Sequence, residues 1–434
     1  MNSIPRDKSL DSTLAVVREG FPFIYKRSQR YQSDIFEIRL LGMKTICLHG
    51  QEGTKLFYDT ERFMRTGAIP RRIQTTLMGL HGIQTLDGEK HHQRKALFMS
   101  VMTPGSLHKL MEYMAADWRY SIKQWANQEQ VVLFPEVQEL LCRAACTWAG
   151  VPLEEQDVTR RTRDFRLMVD AFGGVGPRHW RGKRARSRAE KWIQGIIKQI
   201  REEKLHVPEE SAAYRMAWHR EPDGKLMSLE MAAIELINII RPITAIGWYI
   251  TFAALALHEH PESRARLRAG DEEYLEWFMH EVRRYYPFAP FLGNIVRKDF
   301  EWHGYQFPKG RLVLLDVYGT NRDARQWHQP ESFRPERFRS WNGSAYNFIP
   351  QGGGDYSFGH RCAGEWLTIE TVKLAVTYLT RGMTYDVPPQ DLRFPLDRMP
   401  TLPKSGFIIE NVRSANKVDA VPSLLGCPFH RQMA

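Results

Sequence analysis

Gln351-Gly-Gly-Gly-Asp-Tyr-Ser-Phe-Gly-His-Arg-Cys-Ala-Gly-Glu365 is the stretch on which the reading of this chain turns. One cysteine, Cys362, stands in a glycine-rich loop, and a helical pattern runs on from Thr368 through Leu379. A thiolate ligand to heme iron needs this arrangement. Glycines let the backbone come close to a flat macrocycle. A helix whose N-terminal end points at the sulfur favours the anion. The thiolate pushes electron density onto iron and promotes O–O cleavage. Taken alone, the loop reads equally as a buried free cysteine beside a turn, the usual fate of a lone Cys.

Two further motifs lie upstream. Glu281-Val-Arg-Arg284 falls within the helical run Glu273 to Tyr286, where residues three apart share a face. Phe333-Arg-Pro-Glu-Arg-Phe338 follows it. An isolated Glu-x-x-Arg reads as a surface ion pair; three motifs in this order, ending in the cysteine loop, do not. With them the chain resembles the cytochrome P-450 superfamily, from about Phe21 to Glu410. The resemblance implies a mainly α fold with a small β portion. It implies heme b between a long central helix and the loop, with the Cys362 thiolate as axial and metal ligand. It implies that Glu281, Arg284 and Arg337 lock the fold behind the heme. It also puts His91 and Lys95, one helical turn apart, and His360 at the heme propionates. The loop departs from the common family pattern, with Asp355 and Phe358 where Phe and Gly are usual.

Composition agrees. The chain has 434 residues, 43% of them hydrophobic, enough for a sizeable core. No Gly/Ser or Pro-rich linker and no repeat divides it, so the reading is one heme-thiolate domain over 1–412 and a loosely ordered tail over 413–434. No uninterrupted apolar run approaches ~18 residues, so no membrane span is expected. The N-terminus lacks the apolar core of a signal peptide. The five cysteines are few and scattered, and the expected location is a reduced cytoplasm. Cys142 and Cys146, four apart in an apolar helical stretch, read as packing. The net charge of +11 concentrates in Arg178-His-Trp-Arg-Gly-Lys-Arg-Ala-Arg-Ser-Arg188. No nucleic-acid motif accompanies that run. It reads first as a solvated loop and helix start, and second as a field steering anionic substrate.

The most discriminating deviation lies in the longest apolar helix, read from Ser228 to about His258. Oxygen-activating members of the family carry an acid followed by Thr at its middle. Here the stretch is Asn238-Ile-Ile-Arg-Pro-Ile-Thr-Ala245. Arginine cannot act as a proton donor or base near neutral pH, and proline has no hydroxyl. A buried arginine is costly unless an anion pairs with it. That anion is either a distant Asp or Glu, in a structural salt bridge, or the substrate. Arg241-Pro242 makes the chain resemble the fatty acid peroxygenase branch, the bacterial α/β-hydroxylases and alkene-forming decarboxylases. That resemblance implies a long-chain fatty acid docked by its carboxylate on Arg241 and hydrogen peroxide as cosubstrate. The substrate carboxylate then does the proton transfer that O–O cleavage needs, and oxygen enters at Cα or Cβ. It also implies that no flavin, NAD(P)H or redox partner protein is required. Gln84 falls where hydroxylating members carry Gln and strong decarboxylases often carry His, which implies hydroxylation with minor decarboxylation. Met78, Val169, Phe172 and Phe288 are the expected pocket residues beside Gln84 and Arg241, with Phe291 a further candidate. The rival readings are a reductase-driven monooxygenase, a heme-thiolate isomerase or dehydratase of lipid hydroperoxides, and a non-catalytic heme sensor or nucleic-acid binder.

Overall fold

The spine of the molecule is the stretch with fewest polar residues. Ser228 caps it, its hydroxyl accepting the Met231 amide at 3.0 Å. The computed structural model describes residues 4–415, and in it this stretch forms a central helix, Leu229–Ala245, continued by Gly247–Glu259. The sequence reads as one unbroken helix; the structure pauses at Ile246. Pro242 has no amide to give to the carbonyl four residues back. The next turn then tightens, and the Ile246 amide reaches the Ile243 carbonyl at 3.0 Å. Leu229–Glu259 is long and apolar enough to cross a membrane, with mean hydropathy 1.5, but 94% of the apolar window is buried inside the protein. A helix apolar on all sides is what a core position demands.

Helices Pro104–Trp125 and Leu133–Ala149 bury Leu110, Trp118, Leu141 and Cys142 in the same cluster as Ile237 and Ile240 of the spine. Cys142 and Cys146 are fully buried there, as packing requires. Helix Pro177–Arg201 crosses over Glu155–Asp170 and the central helix. It begins ten residues before the Ser187 start expected from sequence, with Pro177 in its first turn. The basic run is therefore helical throughout.

The β portion stands to one side. Strands β1 (Ile35–Leu40) and β2 (Met43–Leu48) form the expected antiparallel pair, and β3 (Phe63–Met64) and β4 (Gln130–Val132) follow. Next come β5 (Phe291–Val296), the expected hairpin β6 (Phe300–Trp302) and β7 (Tyr305–Phe307), and β8 (Leu312–Asp316). The main sheet has the order β1-β2-β8-β5-β3, with β2 and β8 parallel. A second sheet joins β4 to β10 (Ile408–Ser414) and β9 (Met383–Asp386). Strand β10 reaches two residues into the segment read as a tail; residues 416–434 of that segment lie outside the described ones.

Candidate active site

The cysteine loop feeds helix Glu365–Thr377, which starts three residues before Thr368, the start read from sequence. Gly364 stands at its N-cap, and the Cys362 carbonyl accepts the Glu365 amide at 3.2 Å. Gly352, at φ +90°, brings the loop against Tyr58, where a Cβ would lie 2.9 Å from the phenol oxygen. Burial pushes the Cys362 thiol up; the Gly364 amide opposes this, Glu365 adds to it, and Lys95 and Gln351 again oppose it. The helix end by itself therefore does not make the thiolate, and a cation in contact with the sulfur would.

Behind the loop, Glu281, Arg284 and Arg337 meet as the motif order implied. Arg284 binds both Glu281 oxygens, at 2.7 and 2.8 Å, and Arg337 Nε donates to Oε1 at 3.1 Å. The Arg334 amide donates to the same carboxylate at 2.7 Å. A second lock was not read from the sequence. Glu365 receives Arg361 Nε at 2.6 Å and also Arg283, tying the cysteine loop to the helix of Glu281. Although burial works against it, the charges of Arg283 and Arg361 hold the Glu365 carboxyl below its usual range. The available signal was Arg283 beside Arg284 and an acid in the first turn after the cysteine.

His91, Lys95 and His360 come together on one wall, and Arg65, unread in the sequence, joins them. The His91 and His360 rings lie tilted against each other with centroids 3.8 Å apart. Lys95 Nζ donates to the Arg361 carbonyl at 2.6 Å, and Arg65 to that of Gly293 at 2.8 Å. Burial first, and then the charges of Lys95, His92 and Arg65, push His91 down to about 4. Burial pushes Lys95 down to about 8, and the same two causes depress His360 strongly. Three buried bases and the half-buried His360, none of them in an ion pair among the described residues, fit the two propionates of a heme whose iron would meet Cys362.

Across from the sulfur, Arg241 and Gln84 line the same cavity of about 350 Å³ as Cys362. Met78, Pro242 and Phe288 also line it, and Ile239, Ile243 and Ile246 make much of the wall apolar. Arg241 is 7% exposed, makes no ion pair among the described residues, and its Nε has no hydrogen-bond partner. The structural salt bridge weighed at the sequence level is thus absent from the described residues. Burial, helped by the charge of Arg186, lowers Arg241 to about 9, so it remains a cation at neutral pH. Gln84 Oε1 is likewise buried without a partner. Val169 and Phe172 do not line this cavity. Val169 lies in the cluster of Phe134, Ala245 and Trp248, against which Phe288 also packs, so it stands just behind the lining, and Phe172 turns toward Phe21, Tyr318 and Met399. Phe291, on β5, packs toward the cluster of Phe23 and Phe36.

Glu235, also unread, organises the distal segment. One carboxylate oxygen accepts the Ile83 amide at 2.9 Å and Arg94 Nη1 at 2.7 Å. The other accepts Asn238 Nδ2 at 3.0 Å, and Asn238 in turn donates to the Met78 carbonyl at 2.8 Å. The loop 78–84 is thereby fixed to the helix that carries Arg241. Gly82 permits the approach, since a Cβ there would lie 2.7 Å from the Met78 carbonyl.

A heme-thiolate class of protein is what this fold and site define, and comparison with known proteins agrees. The family model described as cytochrome P-450 matches residues 270–410. A solved variant of cytochrome P450SP alpha (CYP152B1) is 44% identical over 94% of this chain and 100% of its own, with TM-score 0.92. Cytochrome P450EX alpha (CYP152N1), solved with myristic acid, is 42% identical over 95% and 100%, with TM-score 0.93. A variant of cytochrome P-450 OleT, solved in complex with arachidonic acid, is 38% identical over 96% and 100%, also at 0.93. The chain belongs to the cytochrome P-450 family, in the fatty acid peroxygenase branch to which Arg241-Pro242 pointed.

Proposed function

We propose that this chain is a peroxygenase that uses hydrogen peroxide to hydroxylate long-chain fatty acids at the α or β carbon, with minor oxidative decarboxylation to terminal alkenes. One observation carries the reading: a buried guanidinium without an ion pair among the described residues faces the cavity that Cys362 closes. Heme, held by Cys362 with His91, Lys95, His360 and Arg65 at its carboxylates, would supply peroxide activation and oxygen insertion.

The chain's own residues account for the rest. Arg241 offers a planar fork to a carboxylate, and burial strengthens that charge-assisted pair. Docking there leaves Cα and Cβ as the carbons next along the cavity, which selects them by position. Arg241 and Pro242 supply neither acid nor hydroxyl, so the docked carboxylate relays the peroxide proton in their place. The apolar wall takes the alkyl chain and excludes water. Gln84, an uncharged amide, holds a polar group near the reacting end without carrying a proton charge. Glu235 and Asn238 keep Gln84 and Met78 in register with Arg241. In this reading no flavin, NAD(P)H or redox partner is needed, and the protein works in the cytoplasm.

The test mixes heme-loaded protein with a long-chain fatty acid and hydrogen peroxide, without reductase, and reads products by mass spectrometry. Hydroxy acids from the parent, lost in Arg241→Ala, are expected. Turnover only with a preformed lipid hydroperoxide would replace the reading by the isomerase or dehydratase, and turnover only with a reductase by the monooxygenase.

A further inference from the structure

The basic run takes no part in the reaction above. It forms the first three turns of helix Pro177–Arg201, whose inward face buries Gly182, Ala185, Arg186, Ala189 and Ile193. The outward face carries Trp180, Lys183, Arg184, Ser187 and Lys191, with Arg181 beside them. Trp180 is 60% exposed, and Val175, in the turn before the helix, is 59% exposed. Arg72 comes to the same surface from the segment leading to Met78, with the exposed Arg71 just before it: Arg72 donates to the Gly174 carbonyl, and its charge acts on His179.

The cations of this run and of the segment before Met78 divide into two groups. Arg178 pairs with Asp170, Arg186 with Glu190 and Arg188 with Asp164. Arg71, Arg72, Arg181, Lys183 and Arg184 make no ion pair among the described residues. Five cations unpaired among the described residues thus accompany two exposed apolar side chains, and the acids Asp164, Asp170 and Glu190 are already engaged. A tryptophan among arginines suits a boundary where one side is apolar and the other carries negative charge. The surface also adjoins the cavity, because Arg186 of the same helix holds the Leu77 carbonyl at 3.0 Å, next to Met78 in the cavity wall.

We propose that this face docks on an anionic lipid bilayer. Trp180 and Val175 enter the headgroup layer, and Arg71, Arg72, Arg181, Lys183 and Arg184 sit on lipid phosphates. Charge alone would suit any polyanion; the exposed Trp180 and Val175 on the same segment favour a bilayer. The docking stands on the surface itself. Its use, drawing fatty acid from the membrane into the cavity, rests on the proposed reaction.

The experiment sediments heme-loaded full-length protein with phosphatidylcholine vesicles that contain or lack phosphatidylglycerol, at low and high salt. Parent protein is expected on the anionic vesicles only, and less so at high salt. The triple change Arg181→Gln, Lys183→Gln and Arg184→Gln lowers partitioning on the order of a hundredfold, at about fivefold per cation. Trp180→Ala lowers it severalfold at either salt. Both variants keep the heme absorption spectrum of the parent, which shows that they are folded. Equal sedimentation with both vesicle types, or parent-like binding by the triple variant, overturns the proposal. So does tighter binding to double-stranded DNA than to anionic vesicles at the same salt. Turnover of fatty acid free in solution is read separately, and its failure bears on the reaction, not on docking.

Discussion

Replacing Arg241 by methionine separates what this cation costs the fold from what it does for the substrate. Its guanidinium is 7% exposed, has an unpartnered Nε and makes no ion pair among the described residues. The fall from the usual guanidinium range to about 9, caused first by burial and then by Arg186, corresponds to about 5 kcal/mol against the charged form. That figure is an upper bound, because a relaxing, partly hydrated site is less hostile than a rigid apolar one. Methionine keeps most of the length and packing and removes the charge. Without fatty acid, Arg241→Met should therefore be more stable than the parent by about 1–3 kcal/mol. With saturating fatty acid the order should reverse, since truncating one partner of a buried charge pair costs about 2–5 kcal/mol. Affinity for the acid should fall about 10²–10³-fold. Denaturant unfolding with and without a long-chain fatty acid gives the first quantity, and titration of the heme absorption gives the second. A variant destabilised by several kcal/mol in the absence of fatty acid would mean that Arg241 is a structural partner. Undiminished affinity for the acid would remove it from the substrate site.

Three other outcomes are expected. Glu281→Gln leaves Arg284 and Arg337 without their shared carboxylate, which should cost about 3–5 kcal/mol and lower the heme-loaded fraction of purified protein; unchanged unfolding and heme content would contradict this. Gln84→His puts a side chain that can carry a proton charge where Gln84 Oε1 is buried without a partner, and should raise the alkene-to-hydroxy-acid ratio severalfold by mass spectrometry. Asp117 is raised by burial from 3.8 to about 6, so the folded state holds its proton more tightly than the unfolded chain does. The corresponding stability is complete below 3.8 and is lost as pH rises through about 6. Asp117→Asn should accordingly match the parent near pH 3.8 and exceed it by ~1–2 kcal/mol above pH 7, after allowance for partial solvent screening; a gain independent of pH would refute the cause.

The parts of this protein legible in its residues alone are those whose chemistry is set by residue type in a short window. Cys362 among glycines, Glu281 three residues before Arg284, and Arg241-Pro242 inside an apolar helix each state a requirement that few other residues meet. The strand pair Ile35–Leu48 and the hairpin at 300–307 were legible for a similar reason, since alternation and turn residues act locally. Which side chains meet across the chain was settled by packing. Glu235 lies 152 residues from Ile83 and 141 from Arg94, and Glu365 lies 82 from Arg283. Periodicity says which helix face is apolar, but not which neighbour will cover it. For that reason Val169 and Phe172, reasonable pocket residues by pattern, turned to other clusters, while Arg65 joined the heme-edge bases unannounced. The same limit applied to charge. Whether a buried arginine faces an acid or an open cavity depends on packing between helices, and at Arg241 that packing left the cation facing the cavity.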